Sequence, residues 1–390
     1  MVYFGIDRLL QQEPSWKKSR LALVTNRAAT TRKLVPSRQA IQEAGFNLVK
    51  LFSPEHGLDL QGADGHLVKD GIDPLTRLPV VSLYGEKFAP TEKDLNDTDL
   101  VLFDIPDIGC RFYTYLWTLS HLLEACAAQG KKLIVLDRPN PVSGKLDLAE
   151  GPMLDEKLGS FIGRWPIPLR HSTTLGELAG YFNHTRSLGC ELEIIKCANW
   201  EREMFQPDWE MTFVAPSPAI CHYQSMLLYP ALGLLEATNI SEGRGTEHSF
   251  QLAGAPWIDG AAIAGILNDM GLDEVLASPI QFTPRDPNGK YCNQLCGGVK
   301  LQVKEPEYFK PVSYGLMLIY LVRQLYPQQF EWSPYPTLVN PDGKQHLDKL
   351  LGVRNSEALF GLPLPKFIAT ITKLTSCVHW ATEIGEYLFY

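Results

Sequence analysis

The sequence has no long apolar run, no basic stretch and no cysteine pair at metal-knuckle spacing, and each gap removes a class of protein. No apolar segment in the 390 residues approaches the ~20 needed to span a bilayer, so no membrane span is expected. The formal net charge is −8, and no Lys/Arg cluster offsets it. That balance argues against nucleic acid or an anionic membrane surface as the main partner. Eight cysteines are present, mostly in apolar segments, where the side chain serves as a small hydrophobe. Only Cys292 and Cys296 are close, and they are not at the two-residue spacing of a zinc knuckle. Neither a metal nor a cofactor is expected. Met1-Val2-Tyr3-Phe4-Gly5 leads to Asp7 and Arg8 rather than to a basic region and an apolar run, so no signal peptide is visible. The chain as given is expected to be cytoplasmic, or periplasmic or secreted if a leader has been removed.

Three catalytic signatures are missing as well. There is no Gly-x-Ser-x-Gly elbow, which argues against an esterase of the α/β-hydrolase type. The Gly-rich turn from Asn239 to Glu247 resembles neither a Walker loop nor a dinucleotide-binding fingerprint. What is present is globular. The 45% hydrophobic content over 390 residues is enough for two packed cores, because single cores stop growing at roughly 250 to 300 residues. Two domains are expected, residues 1–218 and 219–390, divided at the Pro-rich stretch Ala215-Pro216-Ser217-Pro218.

Four short, nearly continuous apolar segments read as strands covered on both faces: Arg20 to Thr25, Asn47 to Phe52, Asp99 to Asp104 and Lys132 to Asp137. Val80 to Tyr84 is a fifth candidate. Helical periodicity lies between them, from Ser37 to Ala44 and through Leu116, Leu119, Leu122, Leu123 and Cys126, with Gly130 as the stop. This alternation predicts an α/β fold, a Rossmann-like doubly wound parallel sheet. Thr174 to Glu177 has the form of a capping box opening a helix, and Glu191 to Lys196 reads as a further strand. Beyond the boundary, an alternating strand over Gly297 to Lys304 and an amphipathic helix over Tyr314 to Leu325 predict a smaller α+β domain that closes the cleft.

Ligands of open α/β sheets bind outside the carboxyl ends of the strands. Here those ends carry Asn26 after the first strand, Pro54-Glu55-His56-Gly57 after the second, Asp107 to Arg111 after the third, and Arg138-Pro139-Asn140-Pro141 after the fourth. Glu55 beside His56, bracketed by Pro and Gly, suits a general acid, since a partly desolvated cleft raises a carboxyl pKa. In the connection after Asp104, Asp107, Arg111, Tyr113 and Tyr115 combine acids, a base and aromatic rings, a mixture that matches a sugar's apolar face and hydroxyl rim. Asp104 or Asp107 has an equally good structural use, in capping the next helix or pairing with Arg111. The turn Glu242-Gly243-Arg244-Gly245-Thr246-Glu247 places two carboxylates around an Arg.

Taken together, Ser-Pro-Glu-His-Gly (53–57), Phe-Asp-Ile-x-Asp-Ile-Gly-x-Arg-Phe-Tyr-Thr-Tyr (103–115), Leu-Asp-Arg-Pro-Asn-Pro (136–141), Pro-x-Arg-His (168–171) and Thr-Asn-x-Ser-Glu-Gly-Arg-Gly-Thr (238–246) resemble the NamZ-type exo-β-N-acetylmuramidases, formerly a domain of unknown function. The resemblance implies a hydrolase that releases N-acetylmuramic acid from the non-reducing end of peptidoglycan fragments, in a cleft between two domains. By motif, Glu55, His56 and Glu242 are the expected catalytic residues. Asn26, Asp104, Asp107, Arg111, Tyr113, Arg138, Asn140, His171, Arg244 and Glu247 are the expected substrate contacts. Muramyl saccharides carry a lactyl carboxylate, for which an Arg fork is the natural partner, so Arg111, Arg138 or Arg244 is expected to face it. Family members usually have Gly after the Arg-His pair and Asn after Ser-Pro, where this chain has Ser172 and Ala219. Two other readings are a metal-dependent hydrolase with Glu55, His56, Asp104 and Asp107 as ligands, and a glycan-binding protein without catalysis.

Overall fold

The computed structural model describes residues 1–60, 62, 66, 67 and 69–390. Seven strands form the larger sheet: β1 (Leu21–Thr25), β2 (Leu48–Ser53), β3 (Gly71–Ile72), β4 (Pro79–Ser82), β5 (Leu100–Asp104), β6 (Lys132–Leu136) and β7 (Leu192–Ile195). Their spatial order is β3-β4-β2-β1-β5-β6-β7. All neighbours run parallel except β3, which pairs antiparallel with β4 at one edge. This is the doubly wound α/β sheet that the strand–helix alternation predicts. The fifth candidate strand is β4, and the predicted Glu191–Lys196 strand is β7.

Each central strand is buried on both faces, and the period of two decides which core each side chain enters. Ala22, Val24, Val101, Phe103, Leu133 and Val135 pack on one face. Leu21, Leu23, Leu100, Leu102, Ile134 and Leu136 pack on the other. The first cluster continues through Leu228, Leu235, Val299, Leu316 and Leu351 of the second half of the chain. The two main cores are therefore divided by the faces of the sheet, and one of them is shared by both halves.

The second half adds an antiparallel sheet of β8 (Leu252–Ala255), β9 (Val275–Phe282) and β10 (Cys296–Val303), in the order β8-β10-β9. The helix Gly260–Asp269 packs on it, and the helix Pro311–Leu325 packs against the helix Tyr223–Leu232. Among the described residues no helix is long and apolar enough to cross a membrane. Cys110, Cys126, Cys190, Cys197 and Cys296 are buried.

Candidate active site

Four segments supply most of the polar groups of one cavity. The first leaves β2 at Ser53 and turns tightly, with φ of 65° at His56 and 75° at Gly57 and a 3.0 Å hydrogen bond from the Gly57 amide to the Pro54 carbonyl. The turn buries Glu55, which is 5% exposed, and its Oε2 accepts a 2.6 Å hydrogen bond from Thr114 Oγ1. His56 Nδ1 lies 2.9 Å from the Gly62 carbonyl.

The second segment is the connection from β5 to the helix Tyr115–Ala128. It turns at Gly109, where φ is 75° and a Cβ would sit 2.8 Å from Asn140 Oδ1. Only glycine meets both conditions. Tyr113 is carried into the cavity wall, and burial holds its phenol well above the usual range, so it stays protonated.

The third segment runs from the 3₁₀ turn Gly233–Ala237 to Phe250 and brings Glu236 and Arg244. Gly243 and Gly245 flank the arginine at φ of 78° and 77°, and a Cβ at Gly245 would fall 2.2 Å from the Asp286 amide nitrogen. The turn folds Arg244 back so that Nη2 lies 2.7 Å from Glu236 Oε1 and Nε lies 3.3 Å from Glu242 Oε1. Its guanidinium sits 4.8 Å from the centre of the Phe250 ring.

The fourth segment, residues 335–350, closes the cavity. Tyr335 stacks on His346, with ring centres 4.7 Å apart, and His346 Nε2 lies 3.3 Å from Glu236 Oε2. Lys349 Nζ donates to Asn340 Oδ1 at 2.6 Å. Glu236 is thus bracketed by Arg244 and His346.

The resulting cavity measures about 870 Å³ counting the space open to solvent. Glu55, Glu236, Arg244, His346 and Lys349 face it from walls that include Tyr84, Tyr113, Tyr229 and Phe250. A second, wider cavity of about 1720 Å³, also counted to its mouth, adjoins the first and shares His56, Ala219, Arg244 and Tyr335 with it. Glu242 lines this outer cavity, where Lys290 Nζ lies 3.0 Å from its Oε2.

The structure brings together Glu55, His56, Tyr113, Arg244 and, across the shared wall, Glu242. The other expected contacts lie elsewhere. Arg111 is fully buried, with Nη1 donating to the Pro152 and Ile167 carbonyls and Nη2 to the Leu350 carbonyl. Burial pushes its pKa down to about 10. Arg138 forks Asp104 at 2.6 and 2.9 Å and also donates to the Thr30 carbonyl. Asn140 bridges the Thr173 carbonyl and the Val142 amide, and Asn26 Oδ1 accepts from the Ala28 amide. His171 is buried between Thr173 Oγ1 at 2.8 Å and Asp107 Oδ2 at 3.2 Å. Glu247 is exposed outside both cavities. The four groups weighed as metal ligands do not share a cavity, since Asp104 is engaged by Arg138 and Asp107 lines a different one.

Sequence reasoning passed over Glu236, His346 and Lys349. A signal for Glu236 does exist: a lone acid in the apolar run Leu234-Leu235-Glu236-Ala237, two residues before the Thr-Asn-x-Ser-Glu-Gly-Arg motif. No comparable signal marks the 335–350 segment.

Models of the exo-β-N-acetylmuramidase NamZ family match this chain over nearly its whole length, the N-terminal model at residues 21–224 and the C-terminal model at 227–361. The chain belongs to that family. It is 41% identical over 336 residues to the peptidoglycan β-N-acetylmuramidase NamZ of Bacillus subtilis (strain 168), a match covering 85% of this chain and 80% of that protein. Crystal structures of two DUF1343 family proteins from Bacteroides fragilis NCTC 9343 superpose over 100% of this chain and 99% of each of theirs, at TM-scores of 0.87 and 0.77 and 28% identity.

Proposed function

We propose that the inner cavity is the active site of an exo-β-N-acetylmuramidase that cleaves with Glu55 and Glu236. One observation carries this reading: two buried carboxyl groups line a single aromatic-walled cavity at the carboxyl edge of the sheet. Glu55 acts as general acid/base on the glycosidic oxygen, oriented by the Thr114 hydroxyl. Glu236 is the second carboxylate, held by Arg244 and His346 and placed to stabilise an oxocarbenium-like transition state. Glu242 then serves as a partner for Arg244 and Lys290 in the outer cavity. Of the three arginines considered for the lactyl carboxylate, Arg244 is the one that faces the cavity, and Lys349 supplies a second positive charge there. Tyrosine and phenylalanine walls suit the apolar face of the sugar.

The decisive assay compares a chromogenic β-N-acetylmuramide with the glucosaminide that lacks the lactyl group. The muramide is expected to turn over much faster, and equal rates would remove the role given to Arg244. Glu55→Gln is expected to bind muramyl ligands with unchanged affinity while losing turnover by about 10²- to 10⁴-fold, the usual contribution of a positioned acid/base. A variant that turns over like wild type would end the assignment.

A further inference from the structure

The β9–β10 hairpin does not close tightly. Hairpin connections commonly take about 2–5 residues, and loops beyond roughly 12 residues without secondary structure of their own are usually functional. Here residues 283–295 join two strands that stay paired up to Phe282 and Cys296. The connection leaves the small sheet and docks on the segment that carries Glu236, Glu242 and Arg244. The Arg285 amide donates to the Gly245 carbonyl at 3.0 Å, and Gly245 approaches so closely that a Cβ there would meet the Asp286 amide nitrogen. Tyr291 Oη donates to the Asn239 carbonyl at 2.7 Å and accepts from Trp257 Nε1 at 3.3 Å.

Lys290 ties this loop to the catalytic segment at several points at once. Its Nζ donates to the Leu235 carbonyl at 2.7 Å, to the Ile240 carbonyl at 2.9 Å and to Glu242 Oε2 at 3.0 Å. Those three acceptors match the three N–H groups of an ammonium. Leu235 directly precedes Glu236, so the first of these bonds fixes the backbone from which that carboxyl hangs. Glu242 Oε1 lies 3.3 Å from Arg244 Nε, and Arg244 Nη2 lies 2.7 Å from Glu236 Oε1. The contacts close into a circuit. Lys290 anchors the main chain beside Glu236 at one end and, through Glu242 and Arg244, the Glu236 carboxylate at the other. Links between charged groups of this kind are the stronger class of hydrogen bond.

We propose that Lys290 is a positioning residue for the reaction, holding Glu236 in place against the glycosidic bond without taking part in the chemistry. The inference rests on the reading of Glu236 as the second carboxylate. Misplacing a reacting group by about 1 Å can cost on the order of 10²-fold in rate. A loss of that kind falls on the transition state, so it appears in kcat rather than in KM.

Lys290→Met keeps an unbranched chain of similar length and removes the three donors. On the chromogenic muramide, kcat of the folded protein is expected to fall about tenfold or more while KM stays within about threefold. The same change made in Glu236→Gln is expected to cost less than about threefold further, because two residues that act through one group do not add. Should Lys290→Met fail to fold, Lys290→Gln, a shorter side chain that keeps the loop polar, is read by the same two comparisons. A wild-type kcat in the Lys290 variant beside a slow Glu236→Gln overturns the proposal and leaves the carboxylate assignment standing. So does a rise in KM alone, which would make Lys290 a substrate contact in the outer cavity that it lines, or an equal loss with and without Glu236, the mark of a merely structural role. A near-normal Glu236→Gln removes the carboxylate assignment and this proposal with it.

Discussion

The carboxyl edge of the large sheet carries two cavities, and they are built differently. One, lined by Asp107 and Arg138, takes its polar groups from loops of the first half of the chain, and those groups are largely tied to one another and to the backbone. The inner cavity takes one carboxyl from the first half, Glu55, and Glu236, Arg244, His346 and Lys349 from the second half. In the first region a polar residue at a strand end holds the edge together. In the second the polar residues pair across loops and helices around a cavity that they line. The same residue types at equivalent ends of neighbouring strands thus serve opposite purposes, and the partner groups decide which.

Substitutions can break that comparison in order of expected size. Asp104→Asn leaves the buried Arg138 guanidinium without its fork, and losing one member of a buried pair costs about 3–5 kcal/mol. Urea unfolding is expected to show that loss, with kcat on the muramide unchanged for the protein that remains folded. Arg111→Met strands three carbonyls that the guanidinium now serves. A destabilisation of roughly 3 kcal/mol is expected, at 1–3 kcal/mol per stranded polar group with partial relaxation, again without a selective effect on muramide over glucosaminide. Arg244→Lys should do the reverse, preserving the melting temperature to within a few degrees while lowering discrimination between those substrates about tenfold, equivalent to ~1.4 kcal/mol. Loss of that selectivity in Asp104→Asn instead would merge the two regions. The smallest effect is expected at Ser172, whose φ of 55° is a left-handed conformation that favours glycine. Ser172→Gly is expected to raise stability by less than about 1 kcal/mol, since relief of the left-handed strain is partly offset by glycine's greater freedom in the unfolded chain.

Much of the fold was legible because strands covered on both faces have an apolar run as their only sensible sequence. The Glu55 turn was legible too, since Pro, an acid, an imidazole and Gly just past a buried strand specify a fixed, polar corner. What failed to carry over was direction. Arg111 sits in a motif dense with acids and aromatics, yet its side chain turns inward to carbonyls contributed by residues 152, 167 and 350, a contact set formed only in the tertiary structure. Glu236 was hidden for the opposite reason. An acid in an apolar 3₁₀ turn looks like a surface position until Arg244, from a loop 8 residues away, and His346, from the start of a helix 110 residues away, close on it. The shared core was hidden as well, because length divides a chain into cores without saying which face of a sheet each one covers.

The claim on which the account rests is that Glu236, and not Glu242, shares the reacting cavity with Glu55. Measuring kcat/KM on the chromogenic muramide for Glu236→Gln and Glu242→Gln tests it most directly. The account expects a loss of about 10²-fold or more for Glu236→Gln and less than about tenfold for Glu242→Gln, whose carboxylate pairs with Arg244 and Lys290 in the outer cavity. A near-normal Glu236→Gln beside an inactive, fully folded Glu242→Gln would contradict it.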